Sequence, residues 1–194
     1  MSAQPTFLTP AEYLELERRA EYKSEYLQGE MYAMAGASRR HSLIVTNLLR
    51  EISQQLKGKS CEVHGGDLRL RVTAAGLYTY PDVVVACGEI QFADDQKDTI
   101  LNPVLLIEVL SESTRDYDRG RKFQYYRTLL SLVEYLTVAQ DEPHVEQWTR
   151  QNDGRWVLTE FGKMSGIIPL VSIPGVLPLT EAYDKVEWTG SVTR

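Results

Sequence analysis

Apolar positions along the chain change period several times, and each change marks an element. "LTPAEYLELERRA" opens with Thr9 and Glu12 at capping-box spacing and Pro10 at the first helical position, so a helix starts there. "SEYLQGEMYAMAG" alternates in short runs around Gln28-Gly29, the pattern of a β-hairpin. In "SRRHSLIVTNLLREISQQLKG", Ile44, Leu48, Ile52 and Leu56 recur every fourth residue. Ser38 is placed to cap this long amphipathic helix and Gly58 to end it. "CEVHG" and "DLRLRV" read as adjacent strands or one bent strand, with Leu68, Leu70 and Val72 on one face and Arg69 and Arg71 on the other. "YPDVVVA" and "PVLLIEVLS" are apolar strands, and "FADDQKDTILN" between them is polar enough for a loop. "YDRGRKFQYYRTLL" predicts a helix with Phe123, Tyr126 and Leu130 on one face. "VEYLTVA", "HVEQWTR" and "RWVLTEF" are strands, the last two joined by a turn at "QNDG". The Pro- and Gly-punctuated tail "SIPGVLPLTEAYDKVEWTGSVTR" is expected to pack over the surface and then fray.

This order predicts a mixed α/β fold whose central sheet is flanked by the two longer helices. With 194 residues the chain suits one domain. Its core spans about residues 38–140, an N-terminal helix and hairpin cover 9–35, and C-terminal strands and tail cover 144–194. A net charge of −6 argues against a pure nucleic-acid binder and leaves room for an enzyme with a local basic patch. The two cysteines, Cys61 and Cys87, are expected to be reduced thiols in a cytoplasmic protein. No segment approaches the roughly 20 apolar residues of a membrane span, and the N-terminus lacks a signal-peptide pattern.

Two carboxylates break this apolar pattern. On the strand from Pro103 to Ser111, Val104, Leu106, Glu108 and Leu110 share one face, and Leu105, Ile107, Val109 and Ser111 the other. Both faces are apolar, so the strand is central. An ionised Glu108 there costs several kcal/mol unless it is paired, hydrogen-bonded or metal-bound. Asp82 repeats the feature at the start of "YPDVVVA", where Pro81, lacking an amide donor, fits the first strand position. If the two strands are neighbours, Asp82 and Glu108 converge, and a divalent cation relieves their repulsion. Hard oxygen donors in small number suit Mg²⁺ or Mn²⁺. Lys122, on the helix after the Glu108 strand, can reach them and stabilise charge developing on a phosphate. Each residue also has a structural reading. Glu108 can pair with Lys122 or an arginine, Asp82 can bond loop amides, and Lys122 can be the i+4 partner of Asp118 on an exposed face.

"EYLELERRAEYKSEYLQGEMYAMAGASRRH", "TYPDVVVACG", "NPVLLIEVLSESTRDYDRGRKFQYYR" and "SLVEYL" together resemble the PD-(D/E)XK nuclease superfamily, and within it the Uma-type putative restriction endonuclease family, from about Ala11 to Trp188. "PDVVV" alone is a weak signal; "EVLSEST" followed by "DRGRKFQYY" is a strong one. The resemblance implies a restriction-endonuclease-like core of helix, three strands, helix and strand. It also implies Mg²⁺-dependent hydrolysis of DNA phosphodiesters, with Asp82 and Glu108 holding the metal and Lys122 serving as the motif lysine. The superfamily pattern places that lysine two residues after the acid, where this chain has Leu110. The resemblance therefore implies either a lysine relocated to the helix or lost activity. The hairpin carries Gln28-Gly29 where the family commonly has Asp-Gly. Two further family-matched residues, Glu25 and His41, are candidates for approaching the metal, with Glu30 a weaker third. Related nucleases often act as homodimers, and the hairpin and first helix are a candidate interface.

Arg39, Arg40, Arg69, Arg71, Arg115, Arg119, Arg121 and Arg127 supply potential phosphate contacts. "GKS" at Gly58–Ser60 lacks the upstream glycine of a phosphate loop, and Cys61 with His64 is too small a set for zinc. Three functions remain open: a metal-dependent DNA endonuclease, a catalytically inactive nuclease-fold binding or assembly module, and a hydrolase of small phosphodiesters.

Overall fold

A computed structural model describes residues 7–111 and 115–188. Residues 112–114 of the "EVLSEST" motif and residues 189–194 of the tail lie outside the described residues. Helix α1 (Pro10–Glu17) carries the full capping box of Thr9 and Glu12. Strands β1 (Ser24–Leu27) and β2 (Glu30–Ala33) form the hairpin, with Gln28 at φ 50° and Gly29 at φ 106° taking the positive-φ turn positions. The long helix α2 (Arg39–Gln55) is capped by the Ser38 side chain.

The main sheet has six strands. In chain order they are β3 (Cys61–Gly65), β6 (Val83–Cys87), β8 (Leu105–Leu110), β9 (Glu134–Ala139), β10 (Val145–Arg150) and β11 (Trp156–Phe161). Their spatial order is β11-β10-β9-β8-β6-β3, with β8 and β9 parallel and the other pairs antiparallel. Strand β8 is thus central, as its apolar faces require. A second sheet, in the order β2-β1-β5-β4-β7, adds β4 (Arg69–Val72), β5 (Leu77–Thr79) and the short β7 (Thr99–Ile100).

Each face of the main sheet builds its own core. Ile44, Leu48, Ile52 and Leu56 of α2 pack on Val83, Val85, Leu105, Ile107 and Leu136. On the other face, Val84, Ala86 and Leu106 meet Leu70, Val72, Leu77 and Ile100 around the second sheet, and Phe123 and Tyr126 from the segment after β8. That segment is helical over residues 115–126 but not uniformly so. A π-helical turn (Asp118–Lys122) sits between α3 (Arg115–Tyr117) and α4 (Phe123–Tyr126).

Several sequence expectations need correction. "CEVHG" and "DLRLRV" are not a pair. A tight turn, in which Asp67 and Leu68 both donate to the Gly65 carbonyl, sends them into different sheets. Arg69 faces inward: it is 5% exposed and donates to Tyr80 Oη at 2.9 Å and Thr99 Oγ1 at 3.0 Å. The polar stretch from Phe92 to Asn102 is not all loop, because β7 joins β4 in parallel. Leu130 is 92% exposed, since the helical segment has ended at Tyr126. The tail is not a surface wrap. Its β13 (Gly175–Pro178) and α5 (Leu179–Ala182) bury Leu177, Leu179 and Tyr183 in the α2 core, and β13 pairs with β12 (Ile167–Leu170), just before the tail, which adds Ile168. Cys61 and Cys87 are not free thiols. The β3–β6 register sets them directly opposite one another, and they form a disulfide. Among the described residues, no helix is long and apolar enough to cross a membrane.

Arg18, at the end of α1, fastens that helix to the segment before β7. It donates to Asp98 through Nε at 2.8 Å and to Asp94 through a terminal nitrogen at 2.7 Å. Arg18 holds the Asp98 carboxyl down at about 2, against the opposing effect of partial burial. A depressed carboxylate adds stability above its unfolded value, and that stability disappears as pH falls through the folded value. Between about pH 4 and pH 2, wild type should therefore lose more stability than Arg18→Ala. For so exposed a pair the difference should stay under about 1 kcal/mol. Urea denaturation across that range measures it, and parallel curves for the two proteins would refute it.

Candidate active site

Strands β6 and β8 run antiparallel with Val83 opposite Ile107. One step further along that register sets Asp82 across from Glu108. The backbone amide of Val109 donates to Asp82 Oδ2 at 2.8 Å, which fixes the carboxylate at the strand end. Adjacency of the two strands was the condition for the carboxylates to converge, and it is met.

Lys122 comes to the pair from the π-helical turn. Its Nζ lies 3.0 Å from Glu25 Oε1, 3.1 Å from Glu108 Oε1 and 3.3 Å from Asp118 Oδ1. The lysine is buried, not on an exposed helix face, and so are Glu108 and Asp118. Tyr126 Oη donates to Glu108 Oε1 at 2.7 Å, and the Tyr117 ring lies 5.8 Å from the ammonium. Glu25 arrives from β1 because that strand pairs with β5, where the Thr79 hydroxyl donates to Glu25 Oε1. On the opposite side, His41 in the first turn of α2 sets Nε2 3.2 Å from Asp82 Oδ2. Its Nδ1 is buried without a hydrogen-bond partner among the described residues.

The electrostatics follow from crowding. Burial pushes the Glu108 carboxyl upward, Lys122 works against that, and Asp118 and Asp82 reinforce it. Burial alone would lower Lys122, but Glu108, Glu25 and Asp118 hold its ammonium well above the ordinary lysine value. His41 is raised because Asp82 outweighs the opposing effect of burial. Four carboxylates (Glu25, Asp82, Glu108 and Asp118) thus face one ammonium and one imidazole. The cluster is short of positive charge.

A small hard cation fits that deficit. Asp82 uses only Oδ2, and Glu108 only Oε1, in these contacts, so among the described residues each keeps an oxygen for a further partner. Among the described residues, no group of three or more His, Cys, Asp or Glu side chains is spaced as a metal cage. Two carboxylates are nevertheless a donor set that suits Mg²⁺, which retains several waters.

Glu25, His41, Asp82, Glu108 and Lys122 are therefore brought together, and Glu30 is not. Glu30 is exposed and accepts from Tyr32 Oη. Asp118, Tyr126 and Thr79 were not predicted for the site. The signal for the first two was present, since Asp118, Lys122 and Tyr126 recur at i+4 and so share one helical face. Among the arginines, Arg69 is committed to the core, Arg71 lies over the Tyr78 ring and Arg119 pairs with Glu146. Arg39, Arg40 and Arg115 line an open recess of about 760 Å³ with Ser38, Asp116, Gln140 and Asp141, at the start of α2 next to His41, and Arg115 pairs there with Asp141 at 2.5 Å.

This mixed α/β fold, with paired carboxylates on adjacent central strands, is of the restriction-endonuclease-like type. It resembles the crystal structure of a "putative nuclease belonging to DUF820" from Anabaena variabilis, with a TM-score of 0.73 and 18% identity over 91% of this chain and 97% of that one. Residues 10–180 match the Uma2 family model, described as "putative restriction endonuclease", and the chain belongs to that family. Two uncharacterized proteins of Synechocystis are also similar. One is 39% identical over 82% of this chain and 90% of its own length, the other 38% identical over 79% and 80%.

Proposed function

We propose that the protein is a divalent-cation-dependent endonuclease that hydrolyses DNA phosphodiester bonds. The observation that carries this reading is the contact of Lys122 with Glu108, across from Asp82, in a cluster short of positive charge. Asp82 and Glu108 would hold Mg²⁺ or Mn²⁺. Such an ion, when bound, supplies Lewis-acid polarisation of a phosphodiester oxygen and activation of water. The chain's own groups do the rest. Lys122 keeps its proton and faces the phosphate as a fixed positive charge, preorganised by Glu25 and Asp118. Tyr126 orients Glu108, while His41 and the Val109 amide orient Asp82. Leu110, at the usual lysine position, is buried at 1% exposure, and the ammonium reaches Glu108 from the helix. That geometry favours a relocated lysine over a lost one. The recess bearing Arg39, Arg40 and Arg115 offers contacts for backbone phosphates, and a second copy of the chain would supply the site for the other strand.

The test is plasmid nicking by the purified protein. Cleavage should appear with Mg²⁺ or Mn²⁺, vanish in EDTA, and fall at least about 10²-fold in Asp82→Ala, the order lost with one transition-state stabilising group. Turnover of small phosphodiesters without nicking would favour the small-substrate hydrolase. DNA binding without cleavage under any metal would favour the inactive module.

A further inference from the structure

A second recess lies on the same face of the main sheet as Glu108, and it has a different chemistry. It is open, has a volume of about 430 Å³ and is lined by Arg127, Arg150, Arg155, Trp148, Trp156 and Phe123, with Gly154 at the β10–β11 turn. Among the described residues no carboxylate lines it, although the chain carries a net charge of −6. Its wall is a layered aromatic stack. Phe123 meets Trp148 at 4.7 Å and Trp156 edge-on at 5.3 Å, and the Arg150 guanidinium covers Trp156 at 4.9 Å. Arg150 is held there by donating to the Arg127 and Leu129 carbonyls at 2.6 and 2.7 Å. Arg127 is exposed and makes no ion pair among the described residues. Arg155 is 82% exposed and pairs with Asp153 at 2.7 Å.

From these observations we infer that the recess is a seat for an unpaired nucleotide of single-stranded DNA. The base stacks on the indole–guanidinium wall, and Arg127 and Arg155 take the adjoining phosphates. Aromatic faces with arginines between them bind single strands with little regard to sequence, because every base offers a π-face and every linkage a charge. The location fits the site. Glu108 is level with Thr137 on β9 and then with Glu146 on β10, and Trp148 lies two residues further along β10. With strands ~4.8 Å apart and ~3.4 Å rise per residue, Trp148 is about 12 Å from Glu108. That is a span of a few nucleotides. Arg119, paired to Glu146, lies along the way. The inference rests on the nuclease reading for its choice of DNA, and it adds that the strand is held unpaired beside the carboxylates.

The chain has three tryptophans, and two of them line this recess. The third, Trp188, packs on Tyr183 and donates to the Gln140 carbonyl, near the other recess. Titrating the full chain in EDTA with a six-nucleotide oligodeoxythymidylate should quench tryptophan fluorescence. The quenching should persist in Trp188→Phe, drop sharply in Trp156→Phe, and require roughly tenfold more oligonucleotide or worse in Arg127→Ala/Arg155→Ala. Both arginines are exposed, so an unchanged Tm is expected to accompany the loss. Three results would overturn the inference: no quenching of wild type, quenching carried by Trp188, or equal quenching by a duplex. Because the metal is absent, quenching without later cleavage sinks only the nuclease reading. Cleavage without quenching sinks only the base seat.

Discussion

Lys122→Met should abolish cleavage and also destabilise the protein by about 3–5 kcal/mol, the usual cost of removing one partner from a buried ion pair. Methionine matches the length of the lysine stem, so little packing is lost. What is lost is the cation between Glu25, Glu108 and Asp118, all within 3.3 Å of Nζ. Glu108 and Asp118 cannot find water instead, because both are buried. They must either repel one another or take up protons, and both routes cost stability. At this chain length the loss corresponds to a fall in Tm of about 6–20 °C. Denaturant unfolding and calorimetry measure it directly. Adding Glu108→Gln to Lys122→Met should recover part of the loss, since the two residues share one network and their effects will not add. If Lys122→Met melts like wild type, the ammonium is not buried in this cluster, and the relocated-lysine reading falls with it.

The fold was legible where pattern and period are local. The i+4 apolar repeat of α2, the Gln28-Gly29 turn and the apolar faces of β8 all follow from residues near in sequence. Asp82 and Glu108 stood out because each interrupts an apolar run at a cost that some partner must offset. What the sequence hid depends on pairings between distant segments. Glu25 becomes part of the site only because β1 pairs with β5, more than forty residues away. Arg69 alternates like an outward residue, yet the neighbouring β5 and β7 bring Tyr80 and Thr99 to it. The two cysteines meet because β3 and β6 pair in one particular register, which composition cannot specify. Asp118 was visible only as a surface partner of Lys122. The π-helical turn and the cover of Tyr135, whose hydroxyl donates to the Asp118 carbonyl at 3.0 Å, turn that pair inward.

Glu108→Gln separates function from stability in the opposite sense to Lys122→Met. The amide keeps the shape of the carboxylate, and its oxygen can still accept from Tyr126 and Lys122 at the positions Oε1 occupies. One negative charge leaves a cluster that holds four carboxylates against one ammonium and one imidazole. Burial and the charges on Asp118 and Asp82 all disfavour the ionised form of Glu108. Removing that charge should therefore leave stability unchanged or raise it by about 0.5–2 kcal/mol, the range common for a single stabilising substitution. Cleavage should nevertheless fall at least about 10²-fold, since a neutral amide is a poorer ligand for a hard divalent cation and the field at the phosphate changes. A second signature distinguishes this from simple damage. If Asp82 and Glu108 hold the ion, millimolar Mg²⁺ or Mn²⁺ should raise the Tm of wild type, because a ligand that binds only the folded state stabilises it by mass action. Glu108→Gln should lose that metal-dependent increment while keeping or exceeding the metal-free Tm. A variant that is less stable than wild type without metal would mean that Glu108 is a structural anchor of the lysine. A variant that keeps both cleavage and the metal increment would remove Glu108 from the site.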